Sequence, residues 1–130
     1  MRLIKILMWV IDLGFIVYWS LIITNALPAE AMFEGYNDPY VQAWNWSFFP
    51  LDIAASITGI VGLLVKRNSH MLTVISLTLT AVAGGMAIAF WSFLGSFDLS
   101  WWAPNLFLCI FGAVALLYLS RNLTSLNQGK

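Results

Sequence analysis

The sequence predicts an all-α fold: a four-helix transmembrane bundle with both termini cytoplasmic. Three observations carry this. First, 61% of the 130 residues are hydrophobic and 9% are charged. A soluble domain averages about 25% charged residues, so these charges are too few to cover a water-facing surface. Second, four apolar runs, at about 3–27, 47–65, 71–93 and 101–120, are separated by polar punctuation. Each has roughly the 17–25 residues that span hydrocarbon as a helix, and none alternates as a barrel strand would. Third, Arg2, Lys5, Lys66, Arg67, Arg121 and Lys130 fall at one end of the spans, while Glu30, Glu34, Asp38 and Asp98 fall at the other. Positively charged loops stay inside, which sets the orientation. The whole of 1–130 reads as a single integral membrane domain. Its formal net charge of zero gives no basis for nucleic-acid binding.

The first run is too long for the apolar region of a signal peptide, and Asp12 interrupts it, so an uncleaved first helix is expected. A carboxylate inside a span is expensive and by default marks a site. Asp12, with Trp9, Ile16 and Trp19 on its side of the helix, is therefore the proton-handling candidate. The alternative is a structural acid bonded to a neighbouring hydroxyl or carbonyl. The following connection holds Gly35, Tyr36, Asn37-Asp38-Pro39 and Tyr40, which read as turn chemistry. Met32-Phe33 reads equally as a membrane-surface piece or an exposed loop. Trp44, Trp46, Trp101 and Trp102 are expected at the outer interface as an aromatic belt.

In the second run Ser47 is the expected N-cap, with Pro50 in the first turn. Steps of three and four residues place Asn45, Phe49, Asp52, Ser56, Gly59 and Leu63 on one face, which should point into the bundle. A tight inner loop at 66–70 makes helices two and three antiparallel neighbours. In the third run Ser76, Thr80 and Gly84 form a small-residue strip suited to close packing, within the bundle or between protomers, so self-association as a homodimer is expected. In the fourth, Asn105 lies at the depth of Asp52.

These positions define a candidate ligand site in the outer half of the bundle. Asp52 would be the counter-ion and Asn105 its orienting partner. Trp19, Phe49 and Trp91 would supply aromatic walls, which suit a cation, and Ser56 and Asn25 add polar groups. The expected occupant is a small apolar or cationic ligand, or a lipid. The competing reading is an interhelical hydrogen bond that only fixes packing. Cys109 is the single cysteine and His70 the single histidine, so no disulfide, metal site or cofactor is expected. The leading function is therefore non-enzymatic binding. Behind it stand a proton-coupled exporter acting as a homodimer through Asp12, and a membrane interaction or immunity-type subunit without a ligand.

The stretch Leu7-Met8-Trp9-Val10-Ile11-Asp12-Leu13-Gly14-Phe15, the corner Leu27-Pro28-Ala29-Glu30, and Trp44-Asn45-Trp46-Ser47-Phe48-Phe49-Pro50-Leu51-Asp52 resemble the YvaD-like family of Bacillus-type bacteria. That family consists of small four-span membrane proteins of undefined function. The resemblance implies a bacterial plasma membrane and adds no activity. A weaker likeness, resting on four spans, Asp38-Pro39 and acids near the bundle pocket, is to the EXPERA superfamily of sterol isomerases and sigma-2 receptors. It implies an isomerase-like alternative with Asp52 as the acidic pocket residue. The isomerase histidines have no counterpart, since His70 lies at the inner loop.

Overall fold

The computed structural model describes residues 2–31 and 35–128, the side chains of 29 and 122–128 excepted. Met32, Phe33, Glu34 and Lys130, which entered the expectations above, lie outside the described residues. Four helices follow one another: α1 (Arg2–Ile23), α2 (Pro39–Leu64), α3 (Ser69–Leu94) and α4 (Leu99–Gln128), with one 3-10 turn at Ala29–Ala31. Among the described residues there is no strand. All four helices are long and apolar enough to cross a membrane, α4 over Leu99–Arg121.

The second helix begins well before the expected Ser47. Asp38 is extended, at φ −81° and ψ 120°, and its carboxylate accepts the Tyr40 N–H at 2.7 Å. Pro39 takes the first helical position, where a missing N–H leaves nothing unsatisfied. This start overrides the expected one. Ser47 lies inside the helix with its hydroxyl donating to the Trp44 carbonyl at 2.6 Å, and Pro50 is interior rather than first-turn. Pro50 has no N–H to offer the Trp46 carbonyl, so one rung of the helix is missing there. The helix ends at the short segment 65–68, which the Ser69 hydroxyl ties back by donating to the Gly62 carbonyl at 2.6 Å. Asn68 makes this turn at φ 60°, in the left-handed region that asparagine tolerates better than most residues. Gly95, at φ 72°, closes α3, and Asp98 opens α4 by accepting the Ser100 N–H at 2.8 Å.

The helices alternate in direction. Going up α1 from Asp12 to Trp19 means going down α2 from Gly59 to Asp52. Gly62 faces Leu72 while Trp44 stacks on Phe90, so α2 and α3 are antiparallel. Gly112 faces Leu77 and Gly84 faces Asn105, so α3 and α4 are too. The principal helix contacts are between consecutive helices. The gap between α1 and α4 is bridged by side chains: Met8 and Ile11 of α1 join Leu77, Phe111, Ala115 and Leu119 in one core cluster.

That mainly aliphatic core occupies the end where the chain begins. A second, aromatic core, around Trp19, Ile22, Val41 and Trp91, fills the other end. Between them lie buried polar groups: Asp12, Ser56 and Ser76, each at most 1% exposed, with Asp52 and Thr80 also buried. The outside is apolar instead, down to Phe93 at 93% exposed. That inversion of the soluble pattern is what a hydrocarbon solvent requires.

The strip Ser76-Thr80-Gly84 is used up inside the bundle. Ser76 and Thr80 are buried, and a Cβ on Gly84 would meet the Asn105 carbonyl and stand 2.7 Å from the Cys109 nitrogen. Small residues let α3 and α4 approach here, as they do in membrane helix pairs generally. Of the two uses expected of this strip, packing within the bundle is the one seen: Ser76 faces Gly59 of α2, and Gly84 faces α4.

Candidate functional site

Asp52 is fixed by the face of α2 on which it sits. Asn45, Asp52, Ser56 and Gly59 are all buried on that face, so the 3.6-residue period carries the polar groups inward. The Trp19 indole Nε1 donates to Asp52 Oδ2 at 2.9 Å. Asp52 Oδ1 is buried and has no partner, and neither has the Asn45 side-chain nitrogen, Nδ2. Both residues line a cavity of about 220 Å³ that all four helices wall. An apolar cavity of about 150 Å³ holds one benzene ring, so this one is of small-molecule size.

The walls are aromatic. Tyr18, Trp44, Phe48, Trp91 and Trp101 line the cavity, and Trp19 presents both its ring and its bond to Asp52. Trp44 is stacked on Phe90 with ring centroids 3.8 Å apart and meets Trp91 edge-on at 5.7 Å. Trp44 and Trp101 therefore belong to the site, where an interfacial belt was expected. Trp46, 46% exposed, keeps a surface position.

Of the residues singled out in the sequence, Asp52, Asn105, Trp19 and Trp91 come together around the cavity. Asn105 is not the partner of Asp52, however: its amide donates to the Trp101 carbonyl one turn back, at 2.8 Å. Pro104 and Asn105 face the cavity near the start of α4, and the short amide satisfies the nearer backbone acceptor. Phe49 stands behind Trp19, edge to face at 5.2 Å, rather than on the wall. Asn25 is exposed, at φ 54°, and ends α1 with its own N–H bonded to the Ile22 carbonyl at 3.0 Å. Tyr18, Trp44, Asn45, Phe48 and Trp101 are among the wall residues that were not assigned to the site in the sequence. Asn45 alone carried a signal there, as a polar member of the Asp52 face.

Ser56 lies deeper. Its hydroxyl is 3.0 Å from the Asp12 carbonyl and 2.9 Å from the Asp52 carbonyl. One proton serves two acceptors, so this single hydroxyl ties the backbone of α1 to that of α2. Asp12 does not line the cavity. Its carboxyl is pressed against the bare Gly59 backbone, where the Ser76 hydroxyl also approaches, and Oδ2 is buried without a partner. The two acids thus occupy successive layers, joined by Ser56.

The ends of the bundle differ in charge. Lys5, Lys66 and His70 surround a cavity at one end, and Glu30 and Asp98 one at the other. The Ser100 hydroxyl, and then the Ser100 N–H, hold the Asp98 carboxyl below the usual carboxylate range.

A family of unknown function, DUF5360, matches residues 4–126. The chain is 41% identical over 115 residues to the uncharacterized protein YvaD of Bacillus subtilis (strain 168), a match covering 85% of this chain and 86% of that protein. No solved structure matches.

Proposed function

The chain belongs to the DUF5360 family of unknown function, and from that premise we propose that it is a multi-pass protein of the bacterial plasma membrane that binds a small, flat, apolar ligand carrying one cationic group. The observation that supports this best is Asp52, which lines an aromatic cavity and whose buried Oδ1 has no partner. A buried carboxylate oxygen without a donor is costly, and a ligand N–H or ammonium would relieve it. Trp19 fixes the other oxygen, so the carboxylate is pre-oriented. Asn45 Nδ2 offers a donor to any acceptor on the same ligand, and the indole and phenyl faces favour a cation. The termini and Lys5, Lys66 and Arg67 are assigned to the cytoplasm by the positive-inside rule, which puts the aromatic cavity in the outer half.

The test is a titration of the full chain in mild detergent with benzylammonium and with its neutral isostere ethylbenzene, followed by tryptophan fluorescence. The cation should bind the more tightly. Asp52→Asn should weaken it about tenfold, a loss of about 1.4 kcal/mol, and leave the neutral probe unchanged. Equal binding of the two probes, or an unaltered cation in Asp52→Asn, would refute the reading.

The Ser56 link between the layers of Asp12 and Asp52 supports one alternative, a proton-coupled exporter in which Asp12 carries the proton. Release of protons on adding the cation, abolished by Asp12→Asn in a folded protein, would favour it over simple binding.

A further inference from the structure

The basic end of the bundle holds a cavity of about 270 Å³ that the proposed ligand site does not reach. Lys5 comes to it from α1, Lys66 from the turn after α2, and His70 from the first turn of α3. Its floor is Met8, Leu63 and Leu119, which belong to or adjoin the aliphatic core. Two lysines from remote parts of the chain thus line one void. Such a pair repels unless an anion lies between them. The described residues supply none: their acids are Asp12 and Asp52 in the interior and Glu30, Asp38 and Asp98 in the opposite connections, and neither lysine lines a cavity with any of them. The start of α3 adds to the field, because Asn68 makes no side-chain bond to the first-turn N–H groups, and these carry partial positive charge.

We propose that this cavity binds the phosphodiester head of an anionic phospholipid, with Lys5 and Lys66 on the phosphate oxygens and the apolar floor against the start of an acyl chain. The mixed lining selects between sources of phosphate. A small hydrated anion gains nothing from Met8, Leu63 and Leu119, whereas a lipid buries its glycerol and first methylenes there. The place also fits: the lysines lie at the end of spans whose outer faces are apolar, at the level where basic side chains meet head groups.

The test uses the purified full chain in neutral detergent and native mass spectrometry. Three probes are compared: phosphatidylglycerol, phosphatidylcholine and soluble glycerol 1-phosphate. Phosphatidylglycerol should bind tightest. Each lysine replaced by glutamine should weaken it about fivefold, and Lys5→Gln/Lys66→Gln together about thirtyfold, the ratio expected for charges near a head-group layer. Arg67→Gln, which adjoins the cavity without lining it, should change it little. If the double variant does not fold, the single variants carry the test. Phosphatidylglycerol bound no better than phosphatidylcholine, or equally by wild type and the lysine variants, would overturn the site. Glycerol 1-phosphate bound as tightly as the lipid would overturn the lipid assignment.

Discussion

A methyl group at position 59 would fall on the Asp12 carboxyl and within 2.6 Å of Ser76 Oγ. Gly59 is therefore a notch that a buried acid fills. Gly59→Ala should cost about 1–3 kcal/mol by overpacking, read as thermal unfolding in detergent. Adding Asp12→Ala should return part of that loss, because the clash is with the carboxyl; no recovery would mean that the strain lies elsewhere. At Asp52 the informative change is Trp19→Phe, which keeps an aromatic ring and removes the one donor on Oδ2. It leaves both carboxylate oxygens without a partner and should cost about 1–3 kcal/mol. A neutral result would show that water replaces the indole. Asp98 gives a dependence on pH. Its folded carboxyl is held below the ordinary value of 3.8, so its contribution is complete above that value and is lost as pH falls through the lowered one. The start of α4 should loosen on acidification, detectable as faster amide exchange at Ser100–Trp102, and Asp98→Asn should remove the dependence.

At the level of elements, the cap on α2 has a measurable value. Asp38→Ala removes the acceptor of the Tyr40 N–H and should cost about 0.5–2 kcal/mol, with exchange rising first at Tyr40 and Val41. The same residues show how the sequence can mislead. Asp38-Pro39 is a helix-start pair as well as a turn pair, and Ser47 with Pro50 offers a competing start farther on. Only a geometry that buries Val41 and Asn45 decides between them. The four spans were legible because length and hydropathy suffice for them. The inward face of α2 was legible because polar residues at helical spacing cannot face lipid cheaply. The identity of the Asp52 donor was not: Trp19, Asn105 and Asn25 were all candidates near Asp52, and the choice depends on the rotation of α1. Nor were the walls, since Trp44 and Phe48 near a helix end look alike whether they meet lipid, head groups or a neighbour. Gly84 was read correctly as a packing residue, but its partner could not be chosen. Gly84→Leu should now unfold the bundle rather than dissociate a dimer, because its neighbours are the Asn105 and Cys109 backbones.

For the whole molecule, the sequence of packing partners is itself informative. Each helix packs mainly on the one before it, and the side chains that join α1 to α4 complete the enclosure. Contacts between neighbours in the chain form at low entropic cost, and domains take shape from the N-terminus during synthesis. Assembly can then proceed in the order in which the helices leave the ribosome. After three helices Asp52 already has its Trp19 bond and Asp12 its glycine notch, yet the wall made by Trp101, Pro104 and Asn105 does not exist. The arrival of α4 adds the fourth side of the aromatic cavity. That side is therefore the last to form, and until then the Trp19–Asp52 pair stands in an open trough whose lining is complete only when the whole chain has been made.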